Sequence, residues 1–270
     1  MLRLRLRLSE KVNVFAIHKP MNRTILTLML TVCLCTNISA QQTDSIYCDN
    51  TTDIQFRPQQ LILPVSLFAV GSFGVENGWF CHLKNDVRDG FEDMRGDKRF
   101  HIDDNLQYLP VIANVGLGLV GVKSRHPFRE RIAATATAYA ALGVLTNATK
   151  YTVKEKRPDT NRRNSFPSGH TATAFMGAEL VREEYGNAYG AGAYAVATSI
   201  AFLRLYNDRH WLNDIIGGAG VGMLSARIGY WLLPWERRML GWDKKKSYVA
   251  ILPTYNPDQQ AAALSLTAQF

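Results

Sequence analysis

Long apolar runs are scarce in this chain. Several of its apolar segments fall short of the roughly 20 residues that a bilayer-crossing helix needs, and the mean hydropathy of −0.12 is low for a protein made of many spans. Internal repeats and low-complexity tracts are absent, which leaves a single ordinary domain as the simplest organisation for 270 residues. No cluster of Asp, Glu and His has the spacing of a metal site. Cysteines number only 4, at positions 33, 35, 48 and 81.

Acidic residues are nearly missing from the start. Residues 1–40 hold Arg3, Arg5, Arg7, Lys11, Lys19 and Arg23 against the single Glu10. These are six of the 31 basic and one of the 23 acidic residues, so the rest of the chain carries 25 against 22. The formal charge of +8 is therefore mostly a property of the leader and does not describe a nucleic-acid-binding surface. Hydrophobic residues at 47% and charged ones at 20% exclude a disordered chain.

What is present begins with a leader, residues 1–40. Met21-Asn22-Arg23 offers a start and a basic n-region, Ile25 to Cys35 an h-region, and Ile38-Ser39-Ala40 a cleavage site of small residues. Cys33 and Cys35 leave with such a signal, and Cys48 and Cys81 are expected to pair in an oxidising compartment. Residues 41–106 form an N-terminal segment, with one broken apolar helix over 61–80 and a charged connector over 82–106. Residues 107–235 carry five helical segments rich in Ala, Gly and Thr, at about 107–122, 131–151, 168–185, 188–205 and 210–232. In the tail, 236–270, two alternating runs flank Asn256-Pro257-Asp258 and predict a hairpin. The expected fold is all-α, a bundle of about five to six helices with a short C-terminal β-hairpin.

Three clusters carry chemistry. The first is Lys150 to Pro158. A spacing of seven places Lys150 and Arg157 on one face of a helix that Pro158 closes, and two aligned cations suit an anion with several oxygens. The second is Pro167-Ser168-Gly169-His170, a helix start whose free N–H groups attract anions. His170 there can donate a proton to a departing oxygen. The third is Arg204 to Asp214, in which His210 and Asp214 stand four apart and can meet on one helix face. A carboxylate on one imidazole nitrogen raises the basicity of the other, as a nucleophilic histidine requires. Singly, each cluster reads as a solvated helix end, a cap or a surface pair. An up-down bundle with short connections brings all three to one end.

The order Lys150…Arg157-Pro158, Pro167-Ser168-Gly169-His170 and Arg204…His210…Asp214 resembles the three-part signature of the type 2 phosphatidic acid phosphatase and vanadium haloperoxidase superfamily. One departure is Leu203, where the family usually has Ser. The resemblance implies a phosphatase that needs no metal or other cofactor. It implies His210 as nucleophile, Asp214 as its orienting partner and His170 as acid to the leaving alkoxide. Lys150, Arg157, Ser168, Gly169 and Arg204 then hold the phosphate.

With a signal and apolar helices, the expected substrate is a membrane lipid phosphate or pyrophosphate of the lipid A, undecaprenyl pyrophosphate or phosphatidate type. The expected place is the bacterial inner membrane with the site facing the periplasm. Basic residues in loops 123–131 and 235–246 agree with that orientation. The alternatives are a soluble or peripheral periplasmic acid phosphatase acting on small phosphomonoesters, and a vanadate-dependent haloperoxidase.

Overall fold

The computed structural model describes residues 56–96, 98–242, 248–256 and 261–269. The leader, Cys48 and the Asn-Pro-Asp turn at 257–258 lie outside these residues or at their edge, so the expected signal and the Cys48–Cys81 pairing fall outside the described residues. Within them are eight helices: α1 (Gln59–Phe73), α2 (Gly78–Arg95), α3 (Asp103–Leu106), α4 (Leu109–Leu119), α5 (Phe128–Val153), α6 (Gly169–Tyr185), α7 (Asn187–Tyr206) and α8 (Leu212–Met239). Tyr248–Asn256 (β1) and Ala261–Gln269 (β2) pair antiparallel, with Tyr248 opposite Gln269.

The chain is helical, but the count exceeds the expected five to six because the charged stretch 82–106 is not a connector. It contains most of α2 and all of α3. Phe80, Lys84, Val87, Phe91 and Arg95 recur at helical spacing and are the buried residues of α2. The acids between them face outward, while Arg88 reaches Asp208 at 2.8 Å. Asn77 starts the helix, its Oδ1 accepting from Phe80 N–H at 3.2 Å. A charge-rich window hid a one-sided apolar stripe.

α8 is the central element and packs against α1, α5 and α6. Glycines make the close crossings. A Cβ added to Gly71 of α1 would stand 2.6 Å from the Gly217 backbone nitrogen of α8, so at this point the two helices touch backbone to backbone. α6 is nearly encased, with Thr171 to Val181 buried. α6 and α7 are joined through Gly186 alone, at φ 85 and ψ −178, a conformation that only glycine adopts without strain.

The end of α6 remote from His170 holds a buried ionic cluster. Arg227 contacts Glu179 at 2.6 Å and Glu183 at 2.8 Å, and Arg182 forks onto Glu179 with two bonds of 2.9 Å. Burial by itself would raise the Glu179 carboxyl, but the Arg182 and Arg227 guanidinium groups outweigh it and hold it below the usual carboxylate range.

Among the described residues no single helix is long and apolar enough to cross a membrane. α1 and α2 pass that test only together, across a 91° bend.

Candidate active site

The loop between α5 and α6, the start of α6, the end of α7 and the start of α8 meet at one end of the bundle. α5 ends at Val153, earlier than Pro158 predicts, because Lys154 turns into the left-handed region at φ 52. Lys150 is therefore on the last helical turn and Arg157 is in the loop, not on the same helical face. Asn164 reunites them. Its backbone oxygen accepts from Lys150 Nζ at 2.7 Å and its side-chain oxygen from Arg157 Nε at 2.9 Å.

His210 likewise lies outside a helix, two residues before α8 begins. Its Nδ1 is still 3.2 Å from Asp214 Oδ2. That oxygen also accepts from Trp211 N–H at 2.8 Å and from the Ser165 hydroxyl at 2.5 Å. Asp214 thus caps α8 and orients the histidine with the same atom. Burial raises Asp214, against the Ser165 and Trp211 donors, which favour its charged form.

Burial also pushes the His210 imidazolium well below its ordinary value, and the nearby charges of Arg157, Arg204, Lys150 and then His170 add to this. The ring is held neutral among cations, with a free pair to offer. Lys150 is lowered to about 8, first by burial and then by Arg157. Arg157 is lowered too, chiefly by burial.

Ser168 is the N-cap of α6, and its hydroxyl accepts from Thr171 Oγ1 at 3.0 Å and Thr171 N–H at 3.5 Å. A hydroxyl that accepts in this way keeps its own hydrogen to give to an oxyanion. A Cβ on Gly169 would meet nothing within 4 Å, so its backbone borders open space. His170 Nε2 lies 3.0 Å from Asp104 Oδ1. Burial and the Arg204 charge lower His170, while Asp104 pulls the other way. Arg204 donates through Nη1 to Asp103 Oδ2 at 2.6 Å and to Asp104 Oδ1 at 3.1 Å.

All eight residues read from the sequence gather here. Four others were not foreseen. Asp103 and Asp104 come from α3. Lys84 of α2 pairs with buried Glu155 at 2.8 Å. Glu155, which also accepts from Asn213 Nδ2 at 2.7 Å, is raised to about 7 by burial and by the neighbouring Asp214 charge. Lys84, Asp103 and Asp104 lie in the segment read as a connector, and Glu155 lies inside the first basic cluster, where only the cations were singled out; no spacing rule ties these four to the site.

Residues 131–238, from the first turns of α5 to the end of α8, match the model of the PAP2 superfamily. This segment is similar to that superfamily. It holds all eight residues named above, whereas Lys84, Asp103 and Asp104 precede it. The chain is 37% identical over 158 residues to a Lipid A 1-phosphatase of Porphyromonas gingivalis, covering 56% of this chain and 36% of that protein. It therefore spans little more than a third of that relative. Similar solved structures are an LpxE of Aquifex aeolicus (21% identity, TM-score 0.40, 52% of this chain and 92% of that one) and a transmembrane PAP2 type phosphatidylglycerolphosphate phosphatase of Bacillus subtilis (16%, TM-score 0.47, 67% and 99%).

Proposed function

We propose that this chain is a phosphatase that removes a phosphate group from a membrane lipid by way of a phosphohistidine on His210, without a metal. One observation carries the reading: a neutral, buried His210 is held by Asp214 at 3.2 Å and ringed by Lys150, Arg157 and Arg204. In the first step the free His210 nitrogen attacks phosphorus, and the bond to the leaving oxygen breaks. That oxygen takes a proton from His170. The Asp214 carboxylate supports the positive ring that results. In the second step water, giving its proton to His170, attacks the phosphohistidine and releases phosphate and His210. Lys150, Arg157 and Arg204, with Ser168 and the Gly169 N–H, match the charge on the phosphoryl oxygens throughout.

A lipid substrate is supported by the identity to a Lipid A 1-phosphatase and by the outer surface of α1 and the start of α2. There Ile62, Val65, Val70, Phe73 and Trp79 are exposed, an apolar strip of the kind that rests on a bilayer. Residues 107–235 form the catalytic unit in this reading, with 59–106 supplying the strip and the three outer charges. A lipid A phosphate at the periplasmic side of the inner membrane is the favoured substrate.

The test is phosphate release in EDTA by the full chain from lipid A, undecaprenyl pyrophosphate, phosphatidate and a soluble phosphomonoester. Release from a lipid supports the reading. Release only on addition of a divalent metal, or only from the soluble ester, overturns it. Oxidation of halide with vanadate and peroxide would replace it with the haloperoxidase.

A further inference from the structure

We infer that Asp104 is a specificity-determining residue, placed on the leaving-group side of the site so that phosphate monoesters with an uncharged leaving group are accepted and diphosphates are turned away. The inference rests on the phosphatase reading above and narrows its substrate class.

The two neighbouring acids of α3 differ in kind. The Asp103 side chain is 1% exposed. It anchors Arg204 at 2.6 Å and lies 3.3 Å from Asn207 Nδ2, an internal brace. The Asp104 side chain is 53% exposed. One of its oxygens bridges His170 Nε2 at 3.0 Å and Arg204 Nη1 at 3.1 Å. Without ligand, that oxygen stands where an oxygen of the substrate would bond to both groups. A leaving oxygen that draws its proton from Nε2 must displace it. The displaced carboxylate remains tethered by α3 beside the leaving group.

Charge around the site is divided accordingly. Lys150, Arg157 and Arg204 act on His210, where the transferred phosphoryl group sits. The charges that act most strongly on His170 are Arg204, Asp104 and Asp103, one cation against two carboxylates. A single phosphoryl group is matched by the first set. A second phosphate, as leaving group, would lie against the second set, where like charges a few ångströms apart cost about tenfold or more in affinity. A hydroxyl or amide on an uncharged leaving group would instead donate to Asp104. Since Asp104 precedes the segment matched by the PAP2 model, this selectivity is added to the common site from outside it.

The experiment compares the full chain with Asp104→Asn and Asp104→Glu. It measures the affinities for inorganic phosphate and inorganic diphosphate by calorimetry, and kcat/KM on phosphatidate and undecaprenyl pyrophosphate. Asp104→Asn should bind diphosphate about tenfold more tightly relative to phosphate, and its kcat/KM ratio should move the same way. Asp104→Glu should keep the parent preference. Equal changes for both anions, or none, overturn the proposal. Because the calorimetry needs no turnover, a chain that releases phosphate from no substrate would refute the hydrolase reading while the two affinities still decide the role of Asp104.

Discussion

His210 illustrates how much one residue depends on its surroundings. An exposed histidine near pH 7 is a weak nucleophile that is partly protonated. Here burial and three cations keep it neutral into acid, and Asp214 holds its tautomer. His210→Ala should abolish turnover, with an unchanged circular dichroism spectrum and melting temperature. His170→Ala should lower kcat by roughly 10²–10⁴-fold on a lipid alkoxide and far less on a nitrophenyl ester, which needs no acid. The pH profile follows from the same charges. In the proposed mechanism His170 acts as acid only while protonated, and burial with Arg204 moves its titration below the ordinary 6.5. The kcat/KM should therefore peak on the acid side of neutrality. Above about 8 a second fall is expected as Lys150 loses its charge. Lys150→Arg should remove that upper limb, because guanidinium stays charged, even where its peak rate is lower. The eight residues that gather at this end of the bundle were legible from type and spacing, since their order repeats a known pattern. Asp103, Asp104, Lys84 and Glu155 were not. They act through tertiary contacts that cross more than 100 positions, and no local rule encodes such a distance.

Among the elements, α6 and α7 came through in the sequence to within a residue, because small apolar residues run unbroken, whereas α8 begins two residues later and runs seven residues farther than the expected 210–232. α2 did not, because its apolar stripe of Phe80, Val87 and Phe91 is diluted by more than twice as many charges. α5 ended early at Lys154, where a left-handed residue outranked the proline four positions on. The same helices carry a liability in the cluster of Glu179, Arg182, Glu183 and Arg227. Arg227→Met should destabilise the fold by about 3 kcal/mol in urea unfolding, since it leaves a buried carboxylate with fewer partners. The folded-state titration of Glu179 lies below its unfolded value. Its stabilisation is therefore present above the ordinary carboxylate range and lost as the pH falls through and below it. The urea midpoint should drop steeply below about pH 4, and less steeply in the Met variant.

For the whole molecule, the backbone contact of Gly71 with Gly217 joins the N-terminal helix to the catalytic segment. Gly71→Val should separate α1 from α8 and lower the melting temperature by several degrees, with loss of activity following the loss of fold. The exposed strip of Ile62, Val65, Val70 and Phe73 predicts sedimentation with phospholipid vesicles. Replacing Ile62 and Phe73 with Ser should weaken that sedimentation while leaving hydrolysis of a soluble ester intact.

The one-residue link at Gly186 has a mechanical consequence. α6 and α7 run back from it like the prongs of a tuning fork, 17 and 20 residues long, and the tips carry His170, the proposed proton donor, and the cation Arg204. At ~1.5 Å per residue the stem lies ~25 Å from the tips. A small change of angle at the stem becomes a displacement of several ångströms at the site. Any other side chain at 186 would be expected to detune the reaction from the opposite end of the protein.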